Sequence, residues 1–121
     1  MRSLFAISVV LALAGCVSPA AGTRTIDAPT RAAVDAAMKN VPVVVYMTSW
    51  CPACARARIW LQERGYSYRP LDVEQDLRAA LRLRRLSPSG NVPTFDVGGT
   101  IVVGFDPPEL HDAIARAAGV R

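Results

Sequence analysis

The chain has 121 residues, 51% of them hydrophobic and 20% charged, with three cysteines and a formal net charge of +4. That length suits one domain. The modest charge, with arginines scattered rather than massed in a run, excludes the dense basic stripe of a nucleic-acid binder.

Met1-Arg2 gives a short positive start, and Leu4 to Ala14 is an apolar stretch broken only by Ser8. A helix rising about 1.5 Å per residue over that stretch is too short to cross a bilayer core of about 30 Å. It reads as a signal-peptide core. It ends in Leu13-Ala14-Gly15-Cys16, which resembles a bacterial lipobox. The resemblance implies cleavage before Cys16 and a lipid on its thiol; a plain secretory signal with an incidental cysteine is the alternative. Val17 to Thr30 is rich in Ser, Pro, Ala, Gly and Thr and has no hydrophobic period. It reads as a tether, able to reach about 45 Å at roughly 3.3 Å per residue. Residues 1–15 are therefore expected to be a lipoprotein signal peptide, 16–30 a lipidated cysteine with its tether, and 31–121 the folded domain.

Thr30 is placed to cap a short helix over Arg31 to Lys39, where Val34, Ala37, Met38 and Val41 form an amphipathic stripe. Val41 to Thr48 is an apolar, β-branched run suited to a central strand covered on both faces, with Pro42 near its start. A second helix is expected from Pro52 to Arg64, opened by a proline and closed by Gly65. Cys54, Ala57, Leu61 and Trp60 would supply its buried face. Tyr66 to Asp72 reads as a strand whose Pro70 marks a sheet edge or an irregular end. Asp72 with Gln75 has the pattern of a capping box for a helix over Val73 to Leu86, with Leu77, Ala80, Leu81 and Arg84 on one side. After a loop at Ser87 to Asn91, strands at Thr94 to Val97 and Ile101 to Val103 are joined at Gly98-Gly99, the spacing of a hairpin. Asp106, Pro107 and Glu109 open a last helix with Leu110, Ile114 and Ala117 on its apolar face. The order β–α–β–α–β–β–α, after one extra N-terminal helix, predicts an α/β fold: a four-stranded mixed sheet flanked by helices.

With Cys16 set aside, Cys51 and Cys54 remain, separated by two residues. They close too small a loop to act as a stabilising cross-link. The pair follows a buried strand and opens a helix, and that context is the one in which C-x-x-C does redox chemistry. At the helix N-terminus, free N–H groups and the macrodipole favour an anion, so Cys51 is the expected nucleophile. Cys54, one turn further on and less exposed, is the expected resolving thiol. Pro52 stiffens the turn, and Trp50 is expected to shield one side of the sulfurs and offer its indole edge to a partner. Arg56 and Arg58 add positive charge nearby, Arg56 chiefly as part of a solvated face. Val92-Pro93-Thr94 places a proline just before a strand. A cis Val92–Pro93 bond would set the Val92 backbone beside Cys51, ready to pair with an extended chain; an ordinary trans bond closing the preceding loop is the alternative.

Residues 41–119 resemble a glutaredoxin, within the thioredoxin-fold superfamily. The matching pieces are Val43-Val44-Val45-Tyr46-Met47-Thr48-Ser49-Trp50-Cys51-Pro52-Ala53-Cys54, Asn91-Val92-Pro93-Thr94-Phe95 and Gly104-Phe105-Asp106. The resemblance implies a thioredoxin-like fold of the glutaredoxin type, with Cys51 as nucleophile, Cys54 as resolving thiol and Val92-Pro93 as a substrate-docking element. It also implies that Gly104, Phe105 and Asp106 border the groove where glutaredoxins hold the glutamyl end of glutathione. Three positions depart from the pattern. Ala53 stands where many glutaredoxins carry an aromatic, Asn91 where Thr is usual, and Val103-Gly104 where a Gly-Gly pair is usual. They are similar to glutaredoxin-like branches served by other dithiol proteins, with glutathione the alternative co-substrate. Thioredoxin proper has Gly-Pro between its cysteines and a buried acid in the preceding strand, where this chain has Val45. Strong periplasmic oxidants carry a His within the dipeptide; its absence here points to a more reducing pair.

The rival chemistry is metal binding. Two thiolates can hold Cu(I), and glutaredoxins can bind an iron–sulfur cluster between two subunits. A structural zinc site needs about four ligands. Beyond the cysteines only His111 remains, read as a surface residue, while Met38 and Met47 read as core. The expected protein is a monomer without a bound cofactor, working on disulfide-containing proteins or low-molecular-weight thiols. It would touch a membrane surface through the lipid on Cys16 and bind no nucleic acid. Val17 is not the acidic residue associated with inner-membrane retention, so the outer membrane is expected, with the domain on the periplasmic side of the cell envelope.

Overall fold

Thr30 opens the folded part of the chain: in the computed structural model, which describes residues 30–120, its hydroxyl accepts the Ala33 N–H at 3.3 Å. Helix α1 runs over Arg31–Lys39, with Met38 and the following Val41 buried and Val34 and Ala37 half-buried, as the stripe predicts. Then follow β1 (Val43–Met47), α2 (Pro52–Glu63), β2 (Tyr68–Asp72), α3 (Leu77–Leu86), β3 (Thr94–Val97), β4 (Thr100–Val103) and α4 (Pro107–Ala117). The signal, the Cys16 site and nearly all of the tether lie outside the described residues.

The strands form one mixed sheet in the order β2-β1-β3-β4. β1 and β2 are parallel, with Val43 opposite Tyr68 and Met47 opposite Asp72. β3 is antiparallel to β1 and to β4. β2 is an edge strand, which is where Pro70 can sit without breaking a ladder. The β3–β4 hairpin turns on Gly98 and Gly99, whose φ values of +57° and +96° are both in the range that a two-residue turn of this hand requires.

The central run is apolar because both of its faces are covered. Val43, Val45 and Met47 join Phe95, Val97 and Val102 under α2 and α4, which contribute Cys54, Ala57, Leu61, Leu110, Ala113 and Ile114. Tyr46 faces the other way, onto Ala79 and Leu83 of α3. The regular strands are shorter than the apolar runs. The Val41 N–H goes to Met38 at the exit of α1, and the Tyr66 N–H goes to Leu61 at the exit of α2.

The start and orientation of α3 differ from the expectation. Asp72 does not cap it: its carboxylate takes the Glu74 N–H at 2.9 Å, and its carbonyl takes the N–H groups of Gln75 and Asp76. Those bonds close a separate turn, and Asp76 becomes the cap, accepting from Arg78 and Ala79 at 2.9 and 3.1 Å. Starting the helix at Leu77 buries Ala79 and Leu83 and leaves Leu77 and Leu81 outside, 74% and 49% exposed. In α4, Ala113 rather than Ala117 completes the buried face with Leu110 and Ile114.

Candidate active site at the start of helix two

Helix α2 begins where β1 ends, and the residue at that junction is Cys51. It has extended backbone (φ −75°, ψ 113°) and is the N-cap, followed by Pro52 in the first turn. A serine or aspartate in that position would offer an oxygen to the first turn; here a sulfur does so. Cys51 Sγ accepts the Cys54 N–H at 3.2 Å. The cap thus aims a backbone N–H and the positive end of the helix dipole at that sulfur.

Both cysteines are free, with Cys51 7% exposed and Cys54 1%. The Cys54 thiol is pushed up to about 11, first by burial, then by its hydrogen bond toward Cys51, with charge on Cys51 adding in the same direction. Cys54 therefore keeps its proton in the reduced protein. In an unfolded chain the same proton leaves near about pH 8.5. Stability from this difference is fully present below about pH 8.5 and is lost as the pH climbs through about 11. Urea unfolding under reducing conditions is expected to show wild-type stability falling toward that of Cys54→Ala between about pH 8.5 and 11. A difference independent of pH across that window would contradict the assignment.

The opposite wall is Val92-Pro93. The peptide bond between them is cis, and the Val92 carbonyl lies 3.9 Å from Cys51 Sγ, a long thiol contact. Thr94, fully buried, fixes the approach to this wall by donating its hydroxyl to the Asn91 carbonyl at 2.7 Å. The Pro93 carbonyl accepts the Gly104 N–H at 2.8 Å, so the segment after β4 is fastened to the segment before β3. Gly104 has φ +85°, which a side chain would disfavour.

Phe105 stands half-buried with its ring edge on Trp60, centroids 6.2 Å apart. Asp106 uses its carboxylate to cap α4, accepting the Glu109 N–H at 3.2 Å. Cys51, Cys54, Val92, Pro93 and Gly104 are thus linked by contacts, and Phe105 and Asp106 follow in sequence. Pro52 is exposed on the same rim.

Trp50 is 67% exposed, and its indole N–H donates to Glu74 at 2.9 Å. Glu74 was not legible as part of the site: it lies in the turn after β2, 24 residues away in sequence, and only the parallel pairing of β1 with β2 brings the two together. Arg56 is exposed, and the Arg58 guanidinium rests on the Met47 sulfur at 3.9 Å.

The glutaredoxin family model matches residues 43–102, a span that holds both cysteines and Val92-Pro93. A Pseudomonas aeruginosa protein named glutaredoxin is 42% identical over 78 residues, covering 63% of this chain and 87% of that protein. An uncharacterized glutaredoxin-like 8.6 kDa protein of the Clostridium pasteurianum rubredoxin operon is 27% identical over 74 residues, covering 61% of this chain and 99% of the relative. Among solved structures, a glutaredoxin from Archaeoglobus fulgidus superposes with a TM-score of 0.57 at 21% identity, over 65% of this chain and 91% of the other. The fold is thus thioredoxin-like, of the glutaredoxin type, with α1 added in front.

Proposed function

The chain belongs to the glutaredoxin family, and from that premise we propose that it is a thiol–disulfide oxidoreductase working through a Cys51–Cys54 dithiol on disulfides of the cell envelope. The observation that carries this reading is the Cys54 N–H donated to Cys51 Sγ at the cap of α2. It readies one sulfur as a nucleophile while its neighbour stays a protonated thiol.

The chemistry runs in two displacements. Cys51 thiolate attacks one sulfur of the partner disulfide, forming a mixed disulfide and releasing the other partner sulfur as a thiolate. Cys54 then gives up its proton to solvent or to that thiolate and attacks Cys51 Sγ. The partner leaves as a dithiol, two electrons richer, and the enzyme is left with a Cys51–Cys54 disulfide. A thiol donor restores the reduced pair by the reverse exchange. Once Cys51 is bound in the mixed disulfide, its charge no longer opposes ionisation of Cys54, which favours the second displacement.

A dithiol protein is the preferred donor, because Ala53 and Asn91 supply neither the aromatic nor the threonine associated with glutathione use. Glutathione and other small thiols are the alternative. Val92-Pro93 serves as the docking edge for an extended substrate segment, with Trp50, Pro52 and Gly104-Phe105-Asp106 forming the rim. A lipid on Cys16 would hold the domain at the periplasmic face of a membrane, on a tether from Val17 to Thr30.

The test is trapping. Full chain carrying Cys54→Ser, mixed with a disulfide substrate, is expected to accumulate a stoichiometric adduct on Cys51 that dithiothreitol releases, seen by mass spectrometry. Full turnover without an adduct would overturn the assigned roles. Stoichiometric Cu(I) uptake by the wild type, with no turnover on any disulfide, would transfer the reading to metal binding.

A further inference from the structure

We propose that the outer face of α3 is a docking surface for an anionic phospholipid membrane. The first observation is where the charge lies. Fourteen basic and ten acidic side chains give the chain its +4. Four of those arginines and none of the acids fall within α3, LRAALRLRRL, so the rest of the chain balances to zero.

The second observation is what stands among those arginines. At about 100° per residue, Leu77 and Leu81 lie opposite Ala79, Leu83 and Leu86, which face the sheet. The two exposed leucines form a ridge one turn long. Arg78 and Arg85 flank it on one side and Arg84 on the other. A shallow trough of about 440 Å³ runs beside it, lined by Arg78, Leu81, Arg82, Arg85 and Leu86.

Arg82 is partly engaged, 3.8 Å from Asp96, but no ion pair is formed by Arg78, Arg84 or Arg85 among the described residues. The acids just before the helix are committed elsewhere: Asp72 to the Glu74 N–H, Glu74 to Trp50, and Asp76 to the helix cap.

A purely cationic face would suit any polyanion. An apolar ridge set between guanidinium groups suits a lipid interface, where leucines enter the acyl boundary and arginines meet the phosphates. The surface is small, so binding is reversible. It would lay the domain against the bilayer rather than leave it at the far end of its tether. The proposal is independent of the redox reading, since none of these residues lies at the sulfurs.

The experiment uses residues 17–121, which lack the expected signal peptide and lipidated cysteine and keep every described residue of the domain, and measures co-sedimentation with vesicles. Phosphatidylglycerol–phosphatidylethanolamine vesicles are compared with phosphatidylcholine vesicles. Wild-type α3 is expected to favour the anionic vesicles by about tenfold or more, a preference abolished by high salt. Leu77→Ser/Leu81→Ser and Arg78→Gln/Arg84→Gln/Arg85→Gln are each expected to lower anionic binding by about tenfold with disulfide turnover unchanged, which reports an intact fold. Equal binding to both vesicle types, or variants that bind as wild type does, would overturn the proposal. So would retention on polyglutamate beads without vesicle binding, which would make this face a dock for an acidic protein.

Discussion

Replacing Cys51 with serine is expected to reduce disulfide turnover to the uncatalysed background, a loss of about a thousandfold or more. A hydroxyl at that position stays protonated at neutral pH and cannot attack a disulfide sulfur. The N–H donors at the start of α2 do too little to ionise it. The usual objection, that an inactive variant has simply unfolded, is weak here. Cys51 is the N-cap, and serine is among the preferred capping residues. Cys51→Ser should therefore unfold at the same urea concentration as wild type or a higher one. Turnover above a tenth of the wild-type rate would show that the first displacement does not begin at Cys51.

Phe95→Ala is expected to cost about 3–5 kcal/mol of folding stability. Phe95 is fully buried at the centre of the sheet, with Val45 opposite it on one neighbouring strand and Val102 on the other. All three point to the face covered by α2 and α4, so truncating the phenyl ring opens a cavity in that core. Domains of this size are held together by about 5–15 kcal/mol, so the variant should sit near the edge of folding. Urea denaturation of the reduced protein would measure the loss. The same truncation at exposed Leu77 should change stability by no more than about 0.5 kcal/mol. Comparable costs at the two positions would mean that the buried face of α3 has been misassigned.

That contrast also marks what the sequence could reveal. The Val43–Met47 run, the C-x-x-C at the head of a helix and the Gly98-Gly99 turn each carry a local signature, and each appears where it was expected. The cis bond before Pro93 was legible only in company with the cysteine pair. α3 was harder because its sequence holds two apolar rows. Leu77 and Leu81 form one; Ala79, Leu83 and Leu86 form the other, and helical periodicity accepts either. The choice is made by Tyr46 and Leu71 on the sheet, which no local pattern encodes. Asp72 and Asp76 posed a similar ambiguity. Both can cap a helix, and the turn that Asp72 closes decided for Asp76. The Trp50–Glu74 bond had no sequence signal at all, because it depends on which strands become neighbours.

Because Cys51 is itself the cap of α2, the proposed exchange at its sulfur would couple the oxidation state of the pair to the firmness of the helix it begins. A negatively charged sulfur is a far better acceptor for the Cys54 amide than a sulfur sharing its electrons in a covalent bridge. Each catalytic cycle should therefore tighten and slacken the first turn of α2 in step with electron gain and loss. A partner docked against that turn could sense whether the enzyme is charged with electrons without touching the sulfurs.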